Sequence, residues 1–262
     1  MRAGLLTAGL ALAPVALSGS VAEAGGLFSM PSVADQKKVG AQAAAQIRKQ
    51  YKVIDDGRAK ELRAVGEKLR LALPEPDRSR WDYSWSLIDS KQVNAFALPG
   101  GPTFFFTGLY DVLTTEDELA GVMGHEMTHV RLQHWAKAYQ QQQQRDAILN
   151  FGLALLHAGS AAQTIAGLAD QAISLKYSRG EEAQADHGGV VDMVDAGYNP
   201  EGMIDMFHIL LEKTGNGATL GGDFLSNHPL TTDRIKAVQA QIDDYRRTFP
   251  PQRPIGTAAG LV

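Results

Sequence analysis

His125, Glu126 and His129 stand in the order His-Glu-x-x-His. On an α-helix, residues four apart share a face and lie about 6 Å from each other along the axis, so both imidazoles can reach one tetrahedral metal ion. Glu126 then projects to the side where a metal-bound water would sit, and its carboxylate can take that water's proton. The chemistry this spacing encodes is hydrolysis by an activated water. Zinc is the ion that such His and carboxylate donors suit.

The pattern works only on a helix that is largely buried. Thr115 and Glu118 form the Thr-x-x-Glu of a capping box, and Glu116 and Asp117 suit the positive end of the helix dipole. Leu119, Val122, Met123, Met127 and Val130 give a broad apolar surface. Polar groups on such a helix need partners, and a metal supplies them at once. A catalytic zinc also wants a third protein ligand, leaving one position open. The segment from Ser178 to Asp186 offers it, because Glu182 and Asp186 are four apart on what reads as a second helix. Glu182 can bind the metal while Asp186 accepts the outer N–H of a ligand His and fixes its tautomer. Spacing alone leaves the neighbouring Glu181 open as well.

Further segments follow in order along the chain: Val39-Gly40, Val93 to Gly101, Thr107-Gly108-Leu109, Glu118-Leu119-Ala120, Ser178-Arg179-x-x-Glu182-x-x-Ala185-Asp186, His228-Pro229 and Arg234-Ile235. Together with the His pair they resemble the gluzincin metallopeptidases of the CAAX-prenyl-protease and HtpX type, in particular their soluble periplasmic branch in bacteria. The resemblance implies one Zn2+ per chain held by His125, His129 and Glu182, with Glu126 as the base and Asp186 behind the ligands. It also implies a zincin-like domain and an endopeptidase acting on unfolded or misassembled envelope proteins. His228, which by itself reads as a loop residue before Pro229, would lie beside the metal. There it either stabilises the oxyanion of the tetrahedral intermediate or occupies the open zinc position in a resting form. Arg234 either pairs with an acidic neighbour or sits exposed at a helix start. A non-catalytic envelope chaperone or assembly factor that keeps zinc as a scaffold is the rival reading, and the intact Glu126 weighs against it.

The elements that must position these residues predict an α+β, mostly helical fold, with a small sheet packed beside the zinc helix. Helical period runs over 33–54 and 59–73. The alternation of Tyr83, Trp85 and Leu87 predicts a strand over 81–87, and 93–97 and 103–107 read as a hairpin joined by Pro99-Gly100-Gly101-Pro102. Asn94, Ala95 and Phe96 are candidates for a strand edge that pairs with an extended substrate, or equally for core sheet. Helices are expected over 175–196, from Asn199-Pro200 to 213, and over 232–247, with a Gly-rich loop at 214–223 leading to His228. His134 is expected to end or pack under the zinc helix. His157, His187 and His208 lack ligand spacing.

Residues 1–24 read as a secretory signal, with Met1-Arg2, an apolar run and Ala22-x-Ala24 before the cut, which leaves 25–262 as one metallopeptidase domain in the periplasm. The absence of Cys excludes disulfides and a lipid-modified Cys. A net charge of −4 argues against nucleic acid as a partner. Gln140 to Gln144 read as a solvated helix extension or connector. The apolar stretch 147–172 is interrupted by Asn150, His157, Gln163 and Asp170, so two packed helices or a hairpin touching the membrane surface fit it better than a spanning helix.

Overall fold

A computed structural model describes residues 29–154, 175–215 and 222–256. Residues 1–24, expected from the sequence to be a secretory signal, lie outside the described residues, as does most of the apolar stretch, 155–172. No helix among the described residues is long and apolar enough to cross a membrane.

The sheet is four-stranded, in the order β1-β2-β4-β3. β1 (Val53–Ile54) runs antiparallel to β2 (Ser84–Ile88), β2 runs parallel to β4 (Pro102–Phe106), and β3 (Ala95–Ala97) runs antiparallel to β4. The predicted hairpin is present, turned through Gly100 and Gly101 at φ 87° and 124°, a region glycine enters without steric cost. All of β4 is buried, because helices cover both faces of the sheet. Alternation along β4 then assigns each side chain its layer. Phe104 and Phe106 join Ala43, Ala44 and Ile47 of α1 (Val33–Gln50) on one face. Phe105 joins Trp85, Leu87 and the leucines of α2 (Gly57–Ala72) in the main core on the other. Each fully buried side chain of this size contributes roughly 1.5–3 kcal/mol.

The expected first helix, 33–54, is too long. α1 ends at Gln50, Tyr51 is extended, and Val53 and Ile54 pair with Ile88 and Leu87 instead. Two β-branched residues beside a strand with an open edge gain more from pairing than from a further helical turn.

α3 (Asp77–Arg80) and α4 (Thr107–Tyr110) are single turns. α5 (Glu116–Arg131) carries the His-Glu-x-x-His and is buried from Glu116 through Val130. It is enclosed by β3, α2, α7 (Arg179–Asp195) and α8 (Glu201–Gly215). α6 (His134–Ala154) includes the Gln run as a helix extension, as expected. α9 (Gly222–Asn227) begins within the expected 214–223 loop and continues over residues given no element from the sequence, and α10 (Thr232–Asp244) closes the fold against α7 and α8. The result is the α+β, mostly helical, zincin-like arrangement, with a small mixed sheet beside the metal-binding helix.

α5 and α7 touch at their glycines. A Cβ at Gly124 would lie 3.1 Å from Gly189 Cα, and one at Gly189 would lie 2.9 Å from the backbone nitrogen of His125. No side chain separates the two backbones here. That closeness brings a carboxylate on α7 within reach of imidazoles on α5.

Candidate metal centre

The start of α5 is fixed by the predicted capping box. Thr115 Oγ1 accepts from Glu118 N at 3.1 Å, and Glu118 Oε2 accepts from the Thr115 N–H at 3.2 Å. One helical turn then separates His125 from His129, and their Nε2 atoms face each other at 3.0 Å. Glu182 of α7 reaches both, with carboxylate oxygens 3.6 Å from each Nε2. His228, directly after α9, places Nδ1 3.2 Å from His125 Nε2 and 2.9 Å from Glu182 Oε1. Donor atoms of His125, His129, Glu182 and His228 lie within 4.8 Å of one another, and all four residues are buried.

Proton bookkeeping tests whether this set fits a cation. His125 Nδ1 is 2.9 Å from Asp186 Oδ1, and a carboxylate can only accept, so the proton sits on Nδ1 and the Nε2 lone pair points inward. His134 Nε2 is 3.2 Å from Gln184 Oε1, an acceptor, so His134 carries its proton there and offers a lone pair at Nδ1. His129 Nδ1, 2.9 Å from His134 Nδ1, must therefore donate, and its own Nε2 lone pair also points inward. Two imidazole lone pairs and a carboxylate converging in a buried space repel one another unless a cation lies between them. The donor set fits a divalent ion.

Spacing alone left Glu181 open beside Glu182, and local structure separates them. Ser178 caps α7, and Glu181 Oε2 accepts from its N–H and hydroxyl at 2.9 and 2.8 Å in a second capping box. Glu181 is thus spent on the helix end, while Glu182, one position on, turns inward. Burial raises the carboxyl pKa of Glu182, but the His228 hydrogen bond, His125 and Arg234 outweigh it and hold the group below its ordinary value. Burial likewise opposes ionisation of Asp186, and Arg234 and His125 again prevail. Arg234 is buried rather than exposed. Its Nε and Nη2 each lie 2.7 Å from an Asp186 oxygen, its Nη1 lies 2.7 Å from Glu182 Oε2, and Nη1 also donates to Pro229 O at 2.9 Å. One guanidinium thus ties both acidic residues to the loop carrying His228.

Comparison with known proteins agrees with this geometry. Residues 56–242 match the profile of peptidase family M48, which spans β2, β3, β4, α5 and the segments carrying Glu182 and His228. The chain belongs to peptidase family M48. It is 28% identical over 189 residues to the beta-barrel assembly-enhancing protease of Yersinia pestis, covering 69% of this chain and 37% of that protein. It is 30% identical over 189 residues to the mitochondrial metalloendopeptidase OMA1 of Arabidopsis thaliana, covering 72% and 37%. The beta-barrel assembly-enhancing protease of Escherichia coli K12 is 25% identical over 226 residues, covering 82% and 45%. The chain therefore spans between a third and a half of the length of these curated relatives. M48 peptidases are zinc metallopeptidases, and the buried His and Glu set has the donors that zinc takes.

Of the residues singled out by sequence, His125, Glu126, His129, Glu182, Asp186 and His228 come together in this M48 site. Asn94, Ala95 and Phe96 lie on or beside β3, the edge strand next to α5. Glu126 Oε2 accepts from the backbone N–H of Ala97 at 2.8 Å, which ties the base to that edge. His187 and His208 are exposed on their helices, away from the site, and His157 lies outside the described residues. Three contributors were missed. His134 was expected to be merely structural, Tyr177 stacks on His129 with ring centroids 4.0 Å apart, and Phe224 stacks on His228 at 4.7 Å. The one available signal was chemical: Asp186 could serve only one of the two ligand histidines, and the other needed an outer partner too.

Proposed function

We propose that this M48 chain is a zinc-dependent endopeptidase that cleaves polypeptides. The observation that carries the reading is the pair of imidazole Nε2 atoms 3.0 Å apart, closed by the Glu182 carboxylate, with Glu126 beside them. His125, His129 and Glu182 would hold the ion and Asp186 would orient His125. Zinc, when bound, supplies a Lewis acid that polarises the scissile carbonyl and makes water acidic enough to ionise near neutral pH.

Glu126 is arranged to move the proton. Its Oε2 is fixed by Ala97 N–H, while its buried Oε1 has no hydrogen-bond partner among the described residues. Oε1 faces His228 Nε2 at 3.5 Å and is placed to take a water proton and return it to the leaving amine. The edge of β3 suits an extended substrate. Asn94 O accepts from Phe106 N and Leu98 N donates to Pro102 O, so the peptide groups of Ala95 and the carbonyl of Ala97 point away from β4, while the Ala97 N–H is held by Glu126. Buried Asn94 Oδ1, also unpartnered, can accept from a substrate amide. His228 Nδ1 stands 3.2 Å from His125 Nε2 and 2.9 Å from Glu182 Oε1, so it fits the oxyanion role while Nδ1 carries the proton that Glu182 accepts, and the resting-cap role once that proton is lost. Burial works against its protonation, yet Glu126 and Glu182 outweigh that and raise its pKa.

The finer assignment follows the sequence: a CAAX-protease/HtpX-type, soluble periplasmic enzyme exported by cleavage after residue 24. Its substrates would be unfolded or misassembled envelope proteins, with peripheral membrane contact through 147–172. The names of the bacterial relatives, assembly-enhancing proteases, support a quality-control task of this kind. Fractionation and N-terminal sequencing of the mature product test the address.

The activity is tested by zinc content from mass spectrometry together with casein cleavage. Wild type is expected to hold one zinc and to lose cleavage on chelation, and Glu126→Gln to hold zinc without cleaving. Cleavage by Glu126→Gln at the wild-type rate would refute the mechanism, while zinc without cleavage in the wild type would favour the scaffold reading. A His228→Ala variant that cleaves faster supports the cap, and one that cleaves more slowly supports the oxyanion role.

A further inference from the structure

We infer that His134 is a positioning residue for the metal. It is the neutral acceptor that holds the outer N–H of His129, as Asp186 does for His125, and thereby keeps the His129 lone pair directed at the ion. The inference rests on the zinc reading above and adds a residue to it.

The placement of His134 depends on a chain reversal. α5 ends at Arg131, Gln133 takes φ 57°, and His134 begins α6 folded back beneath His129. A non-glycine residue in the left-handed region is held there only when its surroundings fix it. Gln133 N donates to Val130 O at 3.0 Å, and Gln36 Nε2 of α1 donates to Gln133 Oε1 at 2.8 Å. Gln36 Nε2 also donates to Pro31 O at 2.9 Å, so this brace is tied to the start of α1. The reversal delivers a fully buried imidazole, 0% exposed, whose ring stands edge-on to His129 at 77° with Nδ1 facing Nδ1.

Nitrogen facing nitrogen allows only one proton between them. With the proton on His129 Nδ1, His129 presents a lone pair to the metal. With the proton on His134 Nδ1, neutral His129 must carry its own on Nε2, pointing into the donor set, and cannot bind. The far side of His134 selects the first arrangement, because Gln184 Oε1 accepts at Nε2. Gln184 lies on α7 between the ligand Glu182 and Asp186. One helix thus supplies a metal ligand and the outer support of both histidines.

Two measurements on the full chain test this. The first is long-range 15N-1H correlation on the zinc-loaded protein labelled at histidine, with His134 assigned by its loss in a variant. Protons on Nδ1 of His129 and Nε2 of His134 are expected, and a proton on His134 Nδ1 overturns the inference. The second is zinc affinity by chelator competition, with the d–d spectrum of the cobalt-substituted site as a second readout. His134→Leu removes the acceptor and is expected to weaken zinc binding by about 10- to 100-fold, the range usual for outer-partner loss. His134→Asn, whose side-chain oxygen can accept where Nδ1 stood, is expected to recover most of the affinity and the tetrahedral cobalt spectrum. Equal affinity in wild type and His134→Leu overturns the inference, as does a loss in Leu that Asn does not relieve. Failure of the zinc reading is distinguishable, since wild type would then bind no stoichiometric zinc and His129→Ala would change nothing.

Discussion

A single methyl group added at Gly189 is expected to damage the metal site although it touches no ligand side chain. Helix propensity alone favours Gly→Ala by about 1 kcal/mol, so an interior α7 position should be stabilised by it. The surroundings say otherwise. The new Cβ would lie 2.8 Å from Met203 Cε, 2.9 Å from His125 N and 3.1 Å from the Gly124 carbonyl carbon. Met203 can swing aside, but the other two atoms are backbone. Ordinary carbon contacts are roughly 3.5–4.0 Å, so α5 and α7 must part by about 0.5–1 Å at this crossing. Overpacking of this kind costs about 1–3 kcal/mol, which exceeds the propensity gain. The spreading acts on the helix pair bearing His125 and Glu182, where coordination tolerates only about 0.2 Å. Gly189→Ala is therefore expected to lower Tm by about 2–4 °C per kcal/mol lost, and to weaken zinc binding about tenfold or more. Gly180→Ala is the control on the same helix, because a Cβ there meets nothing within 4 Å. It should be neutral or slightly stabilising, with zinc affinity unchanged. Differential scanning fluorimetry and chelator competition on both variants decide the matter. If Gly189→Ala is as stable as Gly180→Ala and binds zinc as tightly, close helix approach does not set the site.

Arg234→Ala leaves Asp186 and Glu182 buried without their shared cation, and the loss of one partner from such a cluster costs about 3–5 kcal/mol; urea denaturation of the zinc-free protein checks this, and a loss below about 1 kcal/mol refutes it. Arg234→Lys is expected to rescue little, since an ammonium cannot span the 2.7 Å contacts to both acids and the Pro229 carbonyl at once. Both carboxyls are held below their ordinary values, so Arg234 stabilises the fold at neutral pH, and its contribution fades as pH falls through the lowered native pKa values. Asp192 behaves oppositely. Burial pushes its pKa up to about 7 from 3.8, despite Arg131 Nη1 at 3.0 Å, and its Oδ2 has no hydrogen-bond partner among the described residues. The native state holds a proton that the unfolded chain releases, so stability falls as pH rises from about 4 through 7. Wild type should therefore lose on the order of 2 kcal/mol relative to Asp192→Asn between pH 5 and 8; parallel stability profiles would refute the assignment.

The chemistry was legible in the sequence wherever two residues share one helix. His125 and His129, and Glu182 and Asp186, need only the helical period to face the same way, and Thr115 with Glu118 announces where their helix begins. The choice between Glu181 and Glu182, which spacing left open, turns in the structure on an equally local device, the cap that Ser178 forms with Glu181. Partners brought together by long-range packing were not legible. Arg234 is some fifty residues from the acids it bridges, and its burial depends on how α10 docks against α7. The positive φ of Gln133 leaves no mark on periodicity, because it is imposed by Gln36 from another helix. β1 is two residues long, too short for alternation to distinguish it from the tail of α1. α9 was obscured by the glycines preceding it.

The asymmetry between the two outer partners has an electrostatic reason. The buried cluster contains the carboxylates of Glu126, Glu182 and Asp186 and the guanidinium of Arg234. With a divalent ion bound and His228 neutral, the metal and Arg234 together balance the three carboxylates, and the site is neutral as a whole. A second carboxylate behind His129 would leave one uncompensated negative charge in a space closed to water, where unpaired charge is costly. A neutral imidazole accepts the same hydrogen bond without adding charge. Burial and the neighbouring histidines already hold the pKa of His129 well below its ordinary value, so the ring stays neutral and available as a ligand. A charged acceptor suits His125, whose partner Asp186 is itself paired with Arg234, and a neutral one suits His129, whose partner His134 has no ion-paired cation behind it among the described residues. The choice of Asp for one histidine and His for the other follows from the charge each location can support.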